Sequence, residues 1–419
     1  MLPPLRRLLL TGFEPFGDVA VNPSWECVRL LDGELRGGVL VRAARLPVSY
    51  DRAPARLREE IGTFRPGAVV MFGVAQKRRA ISLERFAANR CDAALADNDG
   101  ATRTGKIDES GPDRRESTLP LARIEKALRR QGAPVEFSND AGGYLCNRVF
   151  WEALSCFRGP AGFVHVPLFE AVPRDLLERA VRAAAQAVAF EEITLAAGQT
   201  APVPGDVAKN LADIESVARL ARAEGARLVL FPELATTGLA FGSAAEARKV
   251  AEPEDGASFR RVAALAKELD LWIAYGFVES RRRALFNSAS LVSPAGDRFL
   301  YRKRRLFGHD FNWASEGDGG GPFDTALGRI GIAICHDVVY SDIAGDSEGV
   351  DLTLMPTNWI GEEGPAASLR GFRGPVFAAD RRGEEDGIPF LGRGGLYNVG
   401  EAPAPGGEIV FGTWSKLAI

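Results

Sequence analysis

The sequence predicts two successive α/β domains. Three observations predict it. The chain has 419 residues, more than one ordinary domain and enough for two that each bury a core. Short apolar runs alternate with longer amphipathic segments along its whole length, the pattern of strands and helices built around a largely parallel sheet. That alternation begins afresh near residue 190 with new sequence and no internal repeat. The junction is short and not rich in Gly or Ser, which marks two closely joined domains, residues 1–190 and 191–419.

In the first half, Leu8–Thr11 reads as a short strand running into the turn-rich loop Gly12–Asp18. Asn22-Pro-Ser-Trp-Glu opens a helix with Ser24 as its cap. Val39–Leu46 alternates as a strand and Asp51–Phe64 is a charged amphipathic helix. Ala68–Gly73 is a continuous apolar run bounded by Pro-Gly and Gly, the mark of a strand buried on both faces. Cys91–Thr118 is polar and aperiodic and reads as a long surface loop, and Leu119–Arg130 as a helix. Leu145, Val149, Ala153 and Phe157 recur at helical spacing just past a Gly-Gly turn, which puts Cys146 in the first turn of a helix. Free peptide N–H groups and the positive end of the dipole there favour a thiolate. Ala161–Leu168 is a short strand carrying His165, the only histidine of the first half, and Pro173–Phe190 an alanine-rich helix.

The second half reads as strand Glu192–Gly198, helix Asp206–Glu224, strand Arg227–Glu233, helix Ser258–Leu269 and strand Leu271–Phe277. A hairpin, Phe286–Ser293 with Asp297–Arg302, follows. Arg329–Asp337 is an alternating apolar strand ending at Cys335, and Asp351–Pro356 one more strand. His336 is a poor partner for Cys335, because neighbours on a strand point to opposite faces.

Charged residues make up 26% of the chain and the formal net charge is −3, with no basic stripe, so nucleic acid is not an expected partner. The apolar run at residues 1–10 is too short for a signal peptide, and no run approaches membrane-spanning length. The five cysteines are scattered with no CxxC pair, which argues against a disulfide framework or zinc site and for a reducing cytoplasm. No metal or organic cofactor is implied.

Five ordered segments of the first half resemble pyroglutamyl peptidase I, a cysteine peptidase family that removes N-terminal 5-oxoproline. They are Leu10-Thr-Gly-Phe-Glu-Pro-Phe-Gly17 with Asn22-Pro-Ser24; Gly73–Asn89; Gly111-Pro112 with Ser117-Thr-Leu-Pro120; Ser138–Gly142 with Cys146-Asn147; and Gly162-Phe-Val-His-Val-Pro167. The resemblance implies an α/β/α sandwich in which Cys146 is the nucleophile, His165 the general base and acid, and Glu84 the group that orients the imidazole. It also implies a lactam pocket around Phe13, Phe16, Tyr144 and Leu145, with Asn22 in the opening loop, and pyroglutamyl peptides as substrates. Where that family carries an arginine ten residues after the glutamate, this chain has Ala94.

The second half resembles the nitrilase, or carbon–nitrogen hydrolase, superfamily. The segments are Ile193–Gln199 with Gly205–Asn210; Leu230-Phe-Pro-Glu-Leu-Ala-Thr-Thr-Gly238; Phe286-Asn-Ser-Ala289; Tyr301-Arg-Lys303; and Gly331-Ile-Ala-Ile-Cys-His-Asp337. The resemblance implies an α-β-β-α sandwich, a Glu233–Lys303–Cys335 triad and a small amide as substrate. Asp310 stands where a second glutamate is common, and the chain is shortened between Trp359 and Asp380 and after Phe411. Both families commonly form homo-oligomers. The resemblances together imply a bifunctional hydrolase. The alternative keeps one domain active, with the nitrilase-like half as a scaffold or ligand-binding module.

Overall fold

The computed structural model describes residues 6–35, 39–92, 95–361, 364–399, 403 and 406–418. The chain divides into two compact units, the first running to Glu191 and taking in the residues from Leu417, the second from Glu192 to Lys416.

The first unit is built on seven strands. These are β1 (Arg6–Phe13), β2 (Gly33–Leu35), β3 (Val39–Leu46), β4 (Ala68–Val74), β5 (Ile81–Glu84), β6 (Val135–Ser138) and β7 (Ala161–Val166), in the order β6-β5-β7-β4-β1-β3-β2. The centre is parallel, β3 with β1, β1 with β4 and β4 with β7. β5 runs antiparallel to β7, and β2 antiparallel to β3. Every residue of β4 is buried, which is why it reads as an unbroken apolar run.

Alternate side chains of the sheet serve two cores. Leu8, Leu10, Val70, Phe72 and Val164 pack against α1 (Pro23–Val28), the helix Leu121–Arg130 and the helix Arg174–Ala189. Leu9, Val69, Met71 and Phe163 pack against the helices Arg52–Phe64 and Leu145–Cys156. Each fully buried Val, Leu, Met or Phe contributes roughly 1.5–3 kcal/mol, so the two cores hold three layers, α/β/α.

Three local details differ from the sequence reading. Asn22, not Ser24, caps α1: its Oδ1 accepts from Ser24 N at 3.1 Å and Ser24 Oγ at 2.8 Å, while Ser24 Oγ accepts from Phe13 N. The 91–118 stretch contains paired backbone, Cys91–Asp92 with Thr104–Gly105 and Arg114–Glu116 with Phe86–Ala88. Ladders of two or three residues are too short to show a period-2 pattern. Phe157 caps the C-terminus of the Cys146 helix and is only partly buried.

The second unit has two sheets. The first comprises β8 (Phe190–Gly198), β9 (Leu228–Leu230), β10 (Trp272–Arg281), β11 (Ala284–Val292), β12 (Arg298–Arg302) and a C-terminal strand, Ile409–Leu417. Its order is β12-β11-β10-β9-β8 and then that strand. The second contains Phe323–Thr325, Gly328–Ile332, Leu352–Thr357, Val376–Asp380 and Gly395–Tyr397, adjacent in that order. Ile193, Leu195, Leu230 and Leu291 meet Ile330, Ile332, Leu354 and Phe377 between the sheets. The helices Val207–Ala223 and Ala257–Leu269 cover the outer face of the first sheet through Ile214, Val217, Val262 and Leu265. Short helical turns bearing Ile343, Ala344 and Leu369 cover the second. The layers are α-β-β-α, with a thin fourth layer. The Arg227 strand stops at Leu230, short of Glu233, and the Arg329 strand stops at Ile332, short of Cys335. Among the described residues no helix is long and apolar enough to cross a membrane.

Asn147 ties the Cys146 helix to the 86–90 segment. Its Oδ1 accepts from Ala88 N, and its Nδ2 donates to Ala88 O and Arg90 O, all at 2.8 Å. Asn147→Ala leaves these partly buried backbone groups without this partner and should cost about 1–3 kcal/mol. Hydrogen exchange should show residues 86–90 losing protection; unchanged protection would contradict this.

Candidate active sites

The first site lies at the C-terminal ends of β4 and β7. His165 faces Gly73 across the parallel pair. A Cβ at Gly73 would stand 2.6 Å from the Phe163 ring and 2.8 Å from Cys146 Sγ, so the glycine makes room for the thiol. On the other side β7 pairs with β5 so that Glu84 faces Phe163 and Ser82 faces His165. Glu84 and His165 are therefore diagonal neighbours on one face, and Nδ1 of His165 lies 2.7 Å from Glu84 Oε1. A carboxylate oxygen that is ionised can only accept, so in this contact Nδ1 is the donor, which leaves Nε2 uncommitted to Glu84.

Glu84 has no exposure to solvent. Arg78, on the loop between β4 and β5, donates to the same Oε1 at 2.5 Å and holds its own position by donating to Asp140 O at 2.9 Å. Reading the sequence missed Arg78. Its segment was recognisable, but nothing local distinguishes it from Lys77 and Arg79 beside it.

Phe13, Phe16, Asn22, Tyr144, Leu145, Cys146, His165 and Arg78 line one cavity of about 390 Å³. The structure thus brings together every residue proposed for the lactam pocket. The Asn22 amide is engaged by its own loop, its Nδ2 donating to Glu14 O and its Oδ1 capping α1. Ala94 lies outside the described residues.

Cys146 is the second residue of its helix, as expected, but the expected thiolate is not favoured at rest. Burial pushes the thiol up to about 12 and the charge of Glu84 adds to this; the helix-start N–H and Arg78 act in the lowering direction but do not offset it. The helix terminus is a local signal, whereas desolvation comes from packing against Phe163 and β4. No hydrogen bond joins Sγ to His165 among the described residues, so the resting pair is a neutral thiol beside an imidazole.

The second site collects the ends of β9 and β12 and the turn after Ile332. Lys303 Nζ donates to Glu233 Oε1 and to Asp310 Oδ2, both at 2.6 Å. Asn287 Nδ2 spans the same two acids, at 2.8 Å to Glu233 and 3.0 Å to Asp310. Asp310 thus sits against the lysine although it is one carbon shorter than a glutamate. Burial works against the Lys303 ammonium, but the two carboxylates outweigh it and raise its pKa above the ordinary lysine value.

Cys335 begins a short 3-10 turn with φ of +46° rather than ending a strand. That left-handed backbone costs a non-glycine residue about 1–3 kcal/mol. Asp337 holds the turn. Its Oδ2 accepts from Ile334 N at 3.0 Å and from Tyr301 OH, and its Oδ1 accepts from Arg304 N and Arg305 N. Asp337 therefore fixes the cysteine's turn against the residues that follow Lys303. Burial raises its carboxyl to about 6, against the pull of these donors. Burial and then Glu233 hold the Cys335 thiol above its usual range, with Lys303, Thr357 and the Asn358 N–H opposing. His336 packs its ring 4.6 Å from Phe307 and does not line the cavity that contains Cys335. That cavity, of about 380 Å³, is also lined by Glu233, Lys303, His309 and Asn358. Asn287, Asp337 and Asn358 were not singled out from sequence; their roles depend on contacts between distant segments.

A thiol, an imidazole and a buried carboxylate thus meet around the C-terminal ends of two inner strands of the α/β/α sandwich. The pyroglutamyl peptidase family model matches residues 6–201, and the carbon–nitrogen hydrolase model matches residues 194–366. A pyrrolidone-carboxylate peptidase of Cupriavidus taiwanensis is 41% identical over 167 residues, 38% of this chain and 77% of that protein. Another, of Thermococcus onnurineus, is 40% identical over 167 residues, 38% of this chain and 83% of that protein. The crystal structure of Bacillus amyloliquefaciens pyroglutamyl peptidase I is similar at 31% identity with a TM-score of 0.42, covering 44% of this chain and 96% of that one. The chain belongs to the pyroglutamyl peptidase family through its first half, and its second half carries a carbon–nitrogen hydrolase domain.

Two outcomes follow from the charges. Labelling of Cys146 by iodoacetamide, read by peptide mass spectrometry, should rise about tenfold per pH unit between about pH 7 and 9 without levelling, because the folded pKa lies above that window; a plateau near neutrality would contradict the raised pKa. Lys303→Met should destabilise the second unit by about 3–5 kcal/mol, since two buried carboxylates lose their cation, and adding Asp310→Asn should restore part of that in denaturant titrations.

Proposed function

We propose that residues 1–190 form a pyroglutamyl peptidase domain, that residues 191–419 form a domain hydrolysing a non-peptide carbon–nitrogen bond of a small amide, and that both are active. The chain is a hydrolase. The observation that carries the first activity is the His165 imidazole held 2.7 Å from buried Glu84 in the cavity that also contains Cys146.

In this reading His165 Nε2 takes the Cys146 proton as sulfur adds to the pyroglutamyl carbonyl carbon. The imidazolium, stabilised through Nδ1 by Glu84, then protonates the leaving amine as the C–N bond breaks. Water, deprotonated by His165, opens the thioester and releases 5-oxoproline and the free thiol. The lactam is flat, uncharged and without a free amine. Phe13, Phe16, Tyr144 and Leu145 offer such a ring an apolar slot. A raised resting thiol pKa suits this order, since the proton moves as the substrate carbonyl is attacked rather than beforehand.

In the second domain Glu233 is the base that takes the Cys335 proton and returns it to the departing nitrogen. Lys303, placed by Glu233 and Asp310, faces the oxyanion of the tetrahedral intermediate. Glu233 then activates the water that splits the thioester.

Wild-type protein should hydrolyse pyroglutamyl-naphthylamide. Cys146→Ser should lower kcat/KM about 10³-fold or more, and Glu84→Gln about 10²–10⁴-fold. Cys335→Ser should leave this activity in place. An inactive wild type, or full activity in Cys146→Ser, would refute the peptidase assignment.

A further inference from the structure

We infer that the first cavity favours pyroglutamyl peptides whose next residue carries a carboxylate, and that Lys77 on the rim selects them. This rests on the Cys146 reading above and specifies its substrate class beyond the lactam.

His165 gives its proton to the leaving amine, so the residue attached to that amine lies on the imidazole side of the thiol. The segment that follows β4 borders that side, and it is anchored at both ends. Val74 faces Val166, the residue after His165, and Ala75 N donates to Val166 O at 2.9 Å. Arg78 N donates to Ala75 O at 3.0 Å, which closes a tight turn. The Arg78 guanidinium is committed to Glu84, Ser138 and Asp140. Between these anchors the turn presents Gln76 and Lys77. Both are exposed and both line the cavity. Neither side chain has a hydrogen-bond or ion-pair partner among the described residues.

An uncharged lactam gives an ammonium nothing to pair with. The protein does not supply a partner either: among the described residues no Asp or Glu lines the cavity. The acids around it are engaged elsewhere. Glu84 is buried and bonded to Arg78 and His165. Glu14 accepts from Val48 N and Asn98 Nδ2, and Asp140 from Gly142 N and Arg90. Lys77 therefore stands at the rim as an unmatched positive charge. A carboxylate on the residue after pyroglutamate is its complement, supplied by a Glu side chain or by the chain end of a dipeptide. Gln76 beside it offers a donor and an acceptor to the peptide group of that residue. The pair stays partly in water, so its effect is a preference of several-fold rather than a strict requirement.

The test measures kcat/KM of the full chain for release of 5-oxoproline from three peptides. Pyroglutamyl-glutamate with an amidated chain end carries a side-chain carboxylate. Pyroglutamyl-glutamine with a free chain end carries a terminal one. Pyroglutamyl-glutamine with an amidated chain end carries neither. The expected result is that a carboxylate peptide is hydrolysed about three to five times faster than the uncharged one at low salt. Which of the two shows the advantage distinguishes the side chain from the chain end. Lys77→Ala should lower that ratio about threefold, and Lys77→Glu should reverse it. Loss of folded protein or of the Cys146 chemistry slows all three peptides alike and leaves the ratio where it was. A wild-type ratio at or below one for both carboxylate peptides, or a ratio unmoved by Lys77→Glu, overturns this inference and leaves the peptidase reading standing. Absence of Cys146-dependent 5-oxoproline from all three peptides overturns both.

Discussion

Glu84 is a carboxylate with no access to water, and a charge in that position persists only if it is matched. Its match is double: Arg78 and His165 share Oε1. Much of the first site follows from that arrangement. The antiparallel run of β5 against β7 puts glutamate and histidine on a common face. The loop from β4 to β5 must return close enough for Arg78 to reach the acid. With Nδ1 committed to Glu84, the histidine's Nε2 remains for the thiol, and Gly73 leaves the space that sulfur occupies. Arg78 is therefore a positioning residue: it touches the acid, and through it sets the imidazole.

The second unit meets the same constraint with the opposite partition of charge. Two acids, Glu233 and Asp310, surround one buried ammonium, and Asn287 bridges them. Here the cation is the scarce group, and its field also lowers the cost of ionising Cys335. The cysteine is presented by a left-handed turn rather than by a strand, and Asp337 holds that turn by four hydrogen bonds to segments 301–305 and 334. In the proposed reading the two halves thus present a cysteine sulfur by different routes. One uses a helix start and an imidazole, the other a strained turn, a lysine and two acids.

The layers were legible in the sequence because strands buried on both faces, such as Ala68–Val74, are apolar without interruption, and because Val149 and Ala153 repeat at helical spacing. Cys146 and His165 could be placed from local pattern alone; Glu84, Glu233 and Lys303 needed the ordered motifs around them. What stayed hidden was tertiary. Ile330–Ile334 continues an alternating pattern, yet the backbone turns at Cys335, where Asp337 bonds back to Ile334 N and across to the distant N–H groups of Arg304 and Arg305. The helix start at Cys146 suggested a stabilised thiolate, but desolvation by the sheet outweighs it. Arg78 and Asn287 act through partners in other segments, and no local spacing announces such a partner.

The central claim is that the carbonyl carbon of a pyroglutamyl residue is transferred to Cys146. The direct measurement is acid quenching during turnover of pyroglutamyl-naphthylamide, followed by peptide mapping by mass spectrometry. A pyroglutamyl group bound to the peptide carrying Cys146, and absent from the peptide carrying Cys335, is the predicted result. Turnover with that group found on Cys335, or on any residue other than Cys146, would contradict it.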